Sequence, residues 1–380
     1  MLCAGRDATF AAFEDSFLVG SDLGPTAMSI SNRILGKKNV NGHPHIEAVT
    51  PAAALPGGEV RILGSGFRAP ELRRPQVRFG EKEGAIVISA DDFVVARVPD
   101  GAGSGSVVIS TNGHSSNAQS IKVATPIAEN LHPVTNPALD VEGNIYVTFS
   151  GSRGQKVPVS IFKIDTNYTV KPFLTEMMNA TAIVFDREGQ MYVTSRFDGA
   201  VYRVAPNGTM TAYAESMGVA TGLAFDREQN LYVGDRSGTI FKVARDRQIF
   251  VFATLEPSVS AYHLAVGPTG DLFATGPTTS SYDSVYRIDP HGAVTTYYRG
   301  LGRPQGMAFD REGNLYVAAS LGGKRGIVKI TPDGTASLAV AGSSLVGLAF
   351  APGKSAVLAT TSAIYHLAWD VPGQPLVELS

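Results

Sequence analysis

The chain lacks several features that would point to particular classes of protein. It contains a single cysteine, Cys3, in 380 residues, so neither an intrachain disulfide nor a cysteine-based metal cluster can form. No apolar run approaches the roughly 20 residues that a helix needs to span a bilayer. The formal net charge is −2, and Lys and Arg are not concentrated in any block. Because nucleic-acid binding needs a concentrated positive surface, we expect no nucleic-acid partner. Because no long apolar run is present, we expect no transmembrane segment.

The N-terminus does not have the layout of a signal peptide, because charged residues interrupt its short apolar stretches. As written, the sequence predicts a cytoplasmic protein, whereas a truncated start would allow an extracytoplasmic one, so the compartment stays open. Phe10, Phe13 and Phe17 fall at positions i, i+3 and i+7, which places them on one face of a helix. We therefore predict a leader at residues 1–43, with a short docking or partner-binding helix.

A phrase of nine residues recurs along the last two-thirds of the chain. Its clearest copy is Phe-Asp-Arg-Glu-Gly-Asn-Leu-Tyr-Val, from Phe309 to Val317. The equivalent positions of all copies are Asp140, Asp186, Asp226, Gly267, Asp310 and Ala351, at spacings of 46, 40, 41, 43 and 41 residues. A period of about 40 residues, with several short strands in each unit, is typical of a β-propeller. Six copies predict six four-stranded blades.

The repeated phrase is predicted to form the turn between the first and second strands of each blade. Its Asp can accept hydrogen bonds from the turn backbone, and a Gly three positions later supplies a residue with positive φ. Gln229 replaces this Gly in the third copy, so we expect Asn230 to adopt the left-handed conformation. The acidic residues of different copies belong to separate blades, so we predict no metal site and no cofactor.

Residues 44–124 have a different pattern, with short alternating strands separated by Gly and Pro, which suits a small β-sandwich. Four motifs stand in order: Val49-Thr50-Pro51, Gly64-Ser65-Gly66-Phe67, Val77-Arg78-Phe79-Gly80, and Val98-Pro99 before a Gly-rich loop. The segment resembles the IPT/TIG family of immunoglobulin-like domains.

The predicted fold is therefore all-β, an immunoglobulin-like β-sandwich followed by a six-bladed β-propeller. The domains are the leader, the IPT/TIG domain at residues 44–124, a linker at 125–134 and the propeller at 135–380. We expect the sandwich to be a separate domain that acts as a spacer. The outer strand of the sixth blade comes either from the linker or from Pro375–Leu379.

The repeats also resemble NHL-type propellers and, more distantly, the SMP-30/gluconolactonase family. Members of the SMP-30 group hold a divalent metal in the central channel and hydrolyse lactones. Their Glu and Asn ligands fall on Thr135 and Thr221 of this chain, and only the strand-ending Asp is retained, as Asp235. Two neutral hydroxyls and one carboxylate make a poor site for a hard divalent cation, so this departure argues against lactonase chemistry.

Blade-to-blade variation is greatest where first strands begin and second strands end, and variation permits an asymmetric pocket. We therefore place a ligand at Thr181, Ser195, Arg196, Thr221, Asp235, Tyr262, His263 and Gln305. Tyr262 offers a ring for stacking on a sugar, and Arg196 offers a bidentate contact to a carboxylate. His263 and Asp235 form a candidate acid–base pair. The alternative is that these residues bind channel water and that the histidine has a structural hydrogen bond.

No nucleophile elbow, phosphate loop or zinc-binding helix motif is present, so we assign no catalytic residue. We expect a non-catalytic binding or scaffold protein, whose partner is a protein or a carbohydrate-like ligand. The alternative is a propeller enzyme, a lactone hydrolase or related lyase. DNA binding through the IPT/TIG domain is a third possibility, which the pI of about 6.4 disfavours.

Overall fold

The computed structural model describes residues 43–68, 74–152 and 154–374. These residues form strands, turns and irregular segments and contain no helix. Within them, no helix has the length and apolarity that crossing a membrane requires. The predicted leader with Phe10, Phe13 and Phe17 lies outside the described residues.

The first nine strands build a β-sandwich. They are β1 (His45–Thr50), β2 (Ala53–Ala54), β3 (Glu59–Ser65), β4 (Gln76–Phe79), β5 (Lys82–Ser89), β6 (Phe93–Arg97), β7 (Gly105–Thr111), β8 (His114–Ser115) and β9 (Gln119–Val123). Strands β1, β3, β6 and β5 pair in that order, as do β4, β7 and β9. Alternation decides which residues enter the core: in β3, Val60 and Ile62 are buried whereas Glu59 and Arg61 are exposed.

The remaining strands form antiparallel meanders. They are β10 (Thr125–Glu129), β11 (Ala138–Leu139), β12 (Ile145–Thr148), β13 (Ile161–Ile164), β14 (Val170–Leu174), β15 (Ala180–Phe185), β16 (Met191–Ser195), β17 (Ala200–Val204), β18 (Met210–Ala214), β19 (Ala220–Phe225), β20 (Leu231–Asp235), β21 (Thr239–Val243), β22 (Ile249–Thr254), β23 (His263–Val266), β24 (Leu272–Thr275), β25 (Asp283–Ile288), β26 (Val294–Gly302), β27 (Met307–Phe309), β28 (Leu315–Leu321), β29 (Lys324–Ile330), β30 (Ala336–Ala341), β31 (Leu345–Ala351), β32 (Ser355–Thr360) and β33 (Ala363–Ala368).

These strands form a propeller-like arrangement around a central cavity. Four four-stranded sheets stand apart from one another: β11–β14, β15–β18, β19–β22, and β31–β33 with β10. Strands β23–β26 pair in sequence order, as do β27–β30, and β26 also pairs with β28, which joins these two meanders. Through β30, which pairs with β2, these eight strands share one larger sheet with the sandwich. Between neighbouring sheets, apolar side chains pack face to face, because the inner strands are buried on both sides.

Of the two segments expected to supply the outer strand of the last sheet, the structure shows the linker in that place, so its first residues are not a linker. Thr125–Glu129 is strand β10, which pairs antiparallel with β33 and supplies the outer strand of the last sheet. Ala128 of β10 is buried in the same apolar cluster as Ile364 of β33. The first residues after the sandwich therefore belong to the propeller. They pair with the backbone groups along the edge of β33, which would otherwise be unpaired.

The sandwich is not separate from the propeller, contrary to expectation. Strand β2 pairs with β9 of the sandwich on one side and with β30 on the other. The backbone N–H of Leu55 donates to the carbonyl of Ala341 at 2.8 Å. The Leu55 side chain is buried in one apolar cluster with Tyr316, Val340 and Trp369. Shared sheet hydrogen bonds and a shared core make the sandwich and this side of the propeller one packed body.

The repeated Asp acts within its own turn, as the sequence predicts. Oδ1 of Asp310 accepts from the backbone N–H of Asn314 at 2.8 Å, and its Oδ2 accepts from Nδ2 of Asn314 at 2.7 Å and from the Tyr316 hydroxyl at 3.2 Å. The prediction for the third copy was wrong, because Gln229, not Asn230, has the positive φ of 65°. Asn230 instead gives its backbone N–H and its amide to Asp226, at 2.8 and 2.7 Å.

Candidate functional site

A cavity of about 210 Å³ lies at the centre of the propeller. Its walls are the first strands of the meanders, together with the segment that precedes β11. The wall segments are 135–139, 182–187, 222–227, 263–267, 307–309 and 348–350. Most of the apolar side chains of these segments pack between neighbouring sheets, and polar and apolar atoms contribute about equally to the surface of the cavity. The cavity is therefore a narrow site of mixed polarity, the kind of concave site in which a small ligand loses most of its contact with water.

The inner end of the cavity carries a pair of hydrogen-bonded polar side chains. The Thr135 hydroxyl and Nδ1 of His263 are 3.2 Å apart, and both residues are buried. Asn136 beside them donates from Nδ2 to the carbonyl of Met307 and accepts at Oδ1 from the N–H of Leu348. A Cβ at Gly306 would overlap Oδ1 of Asn136, so this position requires glycine. Asn136 thereby links the segment before β11 to β27 and β31 across the ring.

Burial determines the protonation of His263. Desolvation lowers the pKa of its imidazole from the usual 6.5 to about 4, because a buried imidazolium loses its hydration. The ring is therefore neutral at pH 7. It presents a hydrogen-bonding group to the cavity and is a weak general base.

The outer end of the cavity lies among the Asp-Arg turns. Arg187 and Arg227 line it and are exposed. Gln229 lines it as well, and its Oε1 accepts from the backbone N–H of Arg187 at 3.1 Å, which joins two neighbouring turns. Two guanidinium groups at the rim of the cavity favour a ligand whose exposed end is negatively charged.

Most of the residues that we placed at the ligand do not line the cavity. The hydroxyls of Thr181 and Thr221 donate to backbone carbonyls, of Asn179 and of Gly234 respectively. The Ser195 hydroxyl donates to the carbonyl of Met178 at 2.9 Å. These three residues are buried and do not line the cavity.

The other members of that set are dispersed. Tyr262 is completely buried and its hydroxyl donates to the carbonyl of Glu256, so its ring offers no surface to a sugar. Asp235 accepts from the backbone N–H of Val219 at 2.7 Å and from the Ser237 hydroxyl. A guanidinium N–H of Arg196 donates to the carbonyl of Gly151 at 2.7 Å.

Of the predicted set, His263 is the member that lines the cavity, whereas Gln305 is half-buried beside β27 and does not line it. The pairing of His263 with Asp235 is not formed, since Thr135 is the partner of Nδ1.

Sequence reasoning missed the outer rim. Arg187, Arg227 and Gln229 belong to the repeated turns, which we interpreted as structural. A signal was present in the sequence: Arg follows Asp in only some copies, whereas Val141, Pro268 and Pro352 stand at this position in the others. Unequal charge around a ring of otherwise similar turns indicates that one side of the rim differs from the rest.

No group of three or more His, Cys, Asp or Glu side chains among the described residues is placed to hold a metal ion. Thr135, Thr221 and Asp235, the positions that correspond to SMP-30 metal ligands, each have a hydrogen-bond partner within the protein.

Comparison with known proteins identifies the first domain. Residues 44–125 match the IPT/TIG domain family, which confirms the resemblance found in the sequence. No curated protein sequence matches the chain.

The structural neighbours are propeller proteins. A candidate gluconolactonase matches with a TM-score of 0.56 and 13% identity, over 67% of this chain and 94% of its own. A protein of unknown function from Bacteroides thetaiotaomicron VPI-5482 matches with a TM-score of 0.53 and 14% identity, over 88% of this chain and 100% of its own. An auxiliary nutrient binding protein from Bacteroides ovatus ATCC 8483 matches with a TM-score of 0.51 and 13% identity, over 86% and 98%.

At these identities the likeness concerns the fold alone. The two Bacteroides matches extend over more of the chain than the propeller region occupies, so the likeness includes part of the sandwich.

Proposed function

We propose that this protein is a non-catalytic binding protein whose ligand enters the central cavity from the side of the Asp-Arg turns. The observation that carries this proposal is the cavity itself, which has walls of mixed polarity, a neutral hydrogen-bonding pair at its inner end and two arginines at its rim. A ligand that fits has a compact body with polar and apolar surface and an anionic end. The sequence predicted a partner protein or a carbohydrate-like ligand, and a narrow concave site favours a small ligand over a partner protein.

The same proposal includes six blades of the NHL type, distantly similar to the SMP-30/gluconolactonase group. Support comes from strands β23–β26 and β27–β30, each of which pairs consecutively and antiparallel like the four separate sheets. The β26–β28 pairing then connects the fourth and fifth blades. Each of the six meanders contributes its first strand to the cavity wall, as blades around one channel do.

A lactone hydrolase or lyase is the second candidate, because His263 and Thr135 share a hydrogen bond inside the cavity and one structural neighbour is a candidate gluconolactonase. The chemistry disfavours it. An imidazole with a pKa of about 4 accepts a proton weakly at pH 7. An auxiliary nutrient binding protein among the neighbours accords with a binding role.

A titration with 8-anilinonaphthalene-1-sulfonate tests the proposal, because this fluorescent probe has an apolar body and an anionic group. We expect one probe per chain, bound with enhanced, blue-shifted fluorescence. Ala308, half-buried in the cavity wall, is replaced by Trp to fill the cavity, and Ala212, exposed on β18, is replaced by Trp as the matched control. Binding should be lost in Ala308→Trp and kept in Ala212→Trp. Equal binding by both variants would contradict the proposal, and turnover of a lactone panel that Ala308→Trp abolishes would favour the enzyme.

A further inference from the structure

Four basic residues lie near the ends of β26 and β28 and the starts of β25 and β29, away from the cavity rim. Arg299 belongs to β26, Arg303 follows β26, and Lys324 and Arg325 begin β29. All four are exposed. The proposed ligand cavity is lined by none of them.

Strand pairing brings these residues together although 26 positions separate the first from the last. Leu301 of β26 pairs with Leu321 of β28, which pairs with Lys324 of β29, and Gly302, Ser320 and Arg325 form the adjacent row. Neighbouring strands lie about 4.8 Å apart, so Gly302 and Arg325 are about 10 Å apart across β28. The backbones of Arg303, Lys324 and Arg325 therefore lie close together at one end of the sheet, which the unusually long β26 creates.

The backbone of Arg303 is held in place by a buried acid. Arg303 has a positive φ of 48°, and its N–H donates to Oδ2 of Asp283 at 3.1 Å. Oδ1 of the same carboxylate accepts from the N–H and the hydroxyl of Thr278, at 2.8 and 2.9 Å. The buried carboxylate therefore fixes the backbone of Arg303 beside the start of β25.

The positive charge of the patch is not neutralised within the described part of the chain. None of the ion pairs formed there includes Arg299, Arg303, Lys324 or Arg325. Asp283 is 3% exposed and serves the backbone contacts above. Glu256 accepts from the Tyr286 hydroxyl at 3.1 Å, and Arg299 lies near the same hydroxyl. The patch therefore attracts anions.

An exposed aromatic ring stands next to this charge. Tyr282 immediately precedes Asp283, and 65% of its surface is exposed. The ring is presented by an ordered loop, because the Ser280 hydroxyl accepts from the N–H of Tyr282 at 3.1 Å and donates to its carbonyl at 3.2 Å. A tyrosine ring has an apolar face and a polar tip, which matches the face and edge of a sugar ring.

We propose that Tyr282, Arg299, Arg303, Lys324 and Arg325 form a second binding surface, which takes an acidic polysaccharide of the uronic-acid type. The tyrosine packs on one sugar ring, and the guanidinium and ammonium groups bind the carboxylates of its neighbours. An acidic peptide would engage the cations without needing the ring. A nucleic acid would need a longer basic stripe than this patch provides.

Calorimetric titration with an oligogalacturonate tests the proposal, with a neutral maltooligosaccharide as the ligand control. The variant Arg303→Ala/Lys324→Ala/Arg325→Ala is compared with Arg203→Ala/Arg245→Ala/Lys354→Ala, which removes three exposed cations elsewhere. We expect the first variant to bind at least about tenfold more weakly, and Tyr282→Ala to lose a comparable factor. The control variant should bind like the wild type, and binding should weaken as salt is added.

Unchanged binding in the first variant would overturn the proposal. Polyglutamate that binds as tightly as oligogalacturonate, with no effect of Tyr282→Ala, would replace the polysaccharide by an acidic peptide. Melting temperatures of all variants show whether they are folded. The cavity probe should bind to the patch variants as to the wild type, so failure here is distinguishable from failure of the proposed function.

Discussion

At the scale of single residues, His263 connects the cavity to the stability of the protein. It is buried and neutral, and its Nδ1 is bonded to Thr135. The side chain fills a position that is occupied by glycine in three other copies, Gly222, Gly306 and Gly347. The larger residue brings a hydrogen-bonding group to the inner end of the cavity, which the other first strands do not supply there.

The first prediction concerns acid stability. The folded-state pKa of His263, about 4, lies below the usual 6.5, so the unfolded chain binds a proton more readily. The contribution to the free energy of unfolding is complete above pH 6.5 and is lost as the pH falls from 6.5 to 4, amounting to about 3 kcal/mol. His263→Gln retains a hydrogen-bonding group but does not titrate, so its free energy of unfolding should fall less between pH 6.5 and 4. Urea denaturation of both proteins between pH 7 and 4 measures the free energy of unfolding. An equal dependence on pH in both proteins would contradict the assignment.

The residue scale is also where sequence reasoning was weakest. Tyr262 and Thr221 stand where first strands begin, and the repeat alignment gave their position along the strand correctly. It did not give the direction of each side chain. At Thr221 a bulge between Ala220 and Gly222 shifts the register of the strand. Tyr262 precedes β23, which pairs without a shift, and its ring packs between sheets and not on the channel.

At the scale of elements, the turn phrase and the strand order follow from the sequence because they depend on local chemistry. The Asp of the phrase needs donors two, four and six residues ahead, and Glu312, Asn314 and Tyr316 supply them in the chain itself. The same local bonds explain Gln229. Asn230 donates its backbone N–H to Asp226, so the residue with positive φ is Gln229, one position earlier, and Gln229 accepts from the N–H of Arg187.

The second prediction concerns the closing strand. Ala128→Pro places a proline in β10, where it removes a donor and fixes φ, at a cost of about 3 kcal/mol in the free energy of unfolding. A chain that ends at Trp369 should lose less, about 1–2 kcal/mol, because it keeps β10 and loses contacts such as those of Pro372 and Gln374 with Arg311 and Phe309. Chemical denaturation measures the free energy of unfolding of the Ala128→Pro variant and of the truncated chain. A truncation more damaging than Ala128→Pro would show that the C-terminal segment, and not β10, closes the last sheet.

The linker was one of the two expected sources of the outer strand, but no local pattern marked residues 125–129 as a strand. Thr125-Pro126-Ile127-Ala128-Glu129 carries a proline and few apolar residues, so its composition is that of a linker. It is a strand because β33 offers it an edge, which is a long-range effect that local propensity does not contain.

At the scale of the whole molecule, the sandwich and the propeller share a sheet and a core. Ala341 is buried in the sandwich cluster, while Leu55 is buried in a propeller cluster, so each part contributes a residue to the other. The sequence predicted both domain types from their own motifs. It could not predict their contact, because Ala53, Ala54 and Leu55 belong to no repeat.

The third prediction concerns the joint, by which we mean the contact of residues 53–55 with the propeller. Leu55→Ala removes a buried side chain and should lower the free energy of unfolding by about 2–4 kcal/mol. Because the joint couples both parts, the wild type should unfold in one calorimetric transition, and Leu55→Ala should separate it into two. Ile109→Ala, in the sandwich core away from the joint, should lower the melting temperature while keeping one transition. Two transitions already present in the wild type would show that the parts unfold independently.

The central claim is that a ligand binds in the cavity among the first strands, and a crystal structure with a brominated probe tests it most directly. The probe is 6-bromonaphthalene-2-sulfonate, and the anomalous signal of its bromine reports its position. The account predicts a bromine peak inside the cavity, near Ala308 and Val266, with the sulfonate at Arg187 and Arg227. A peak at the opposite end of the ring beside Arg196 and Gln305, with none in the cavity, would contradict it.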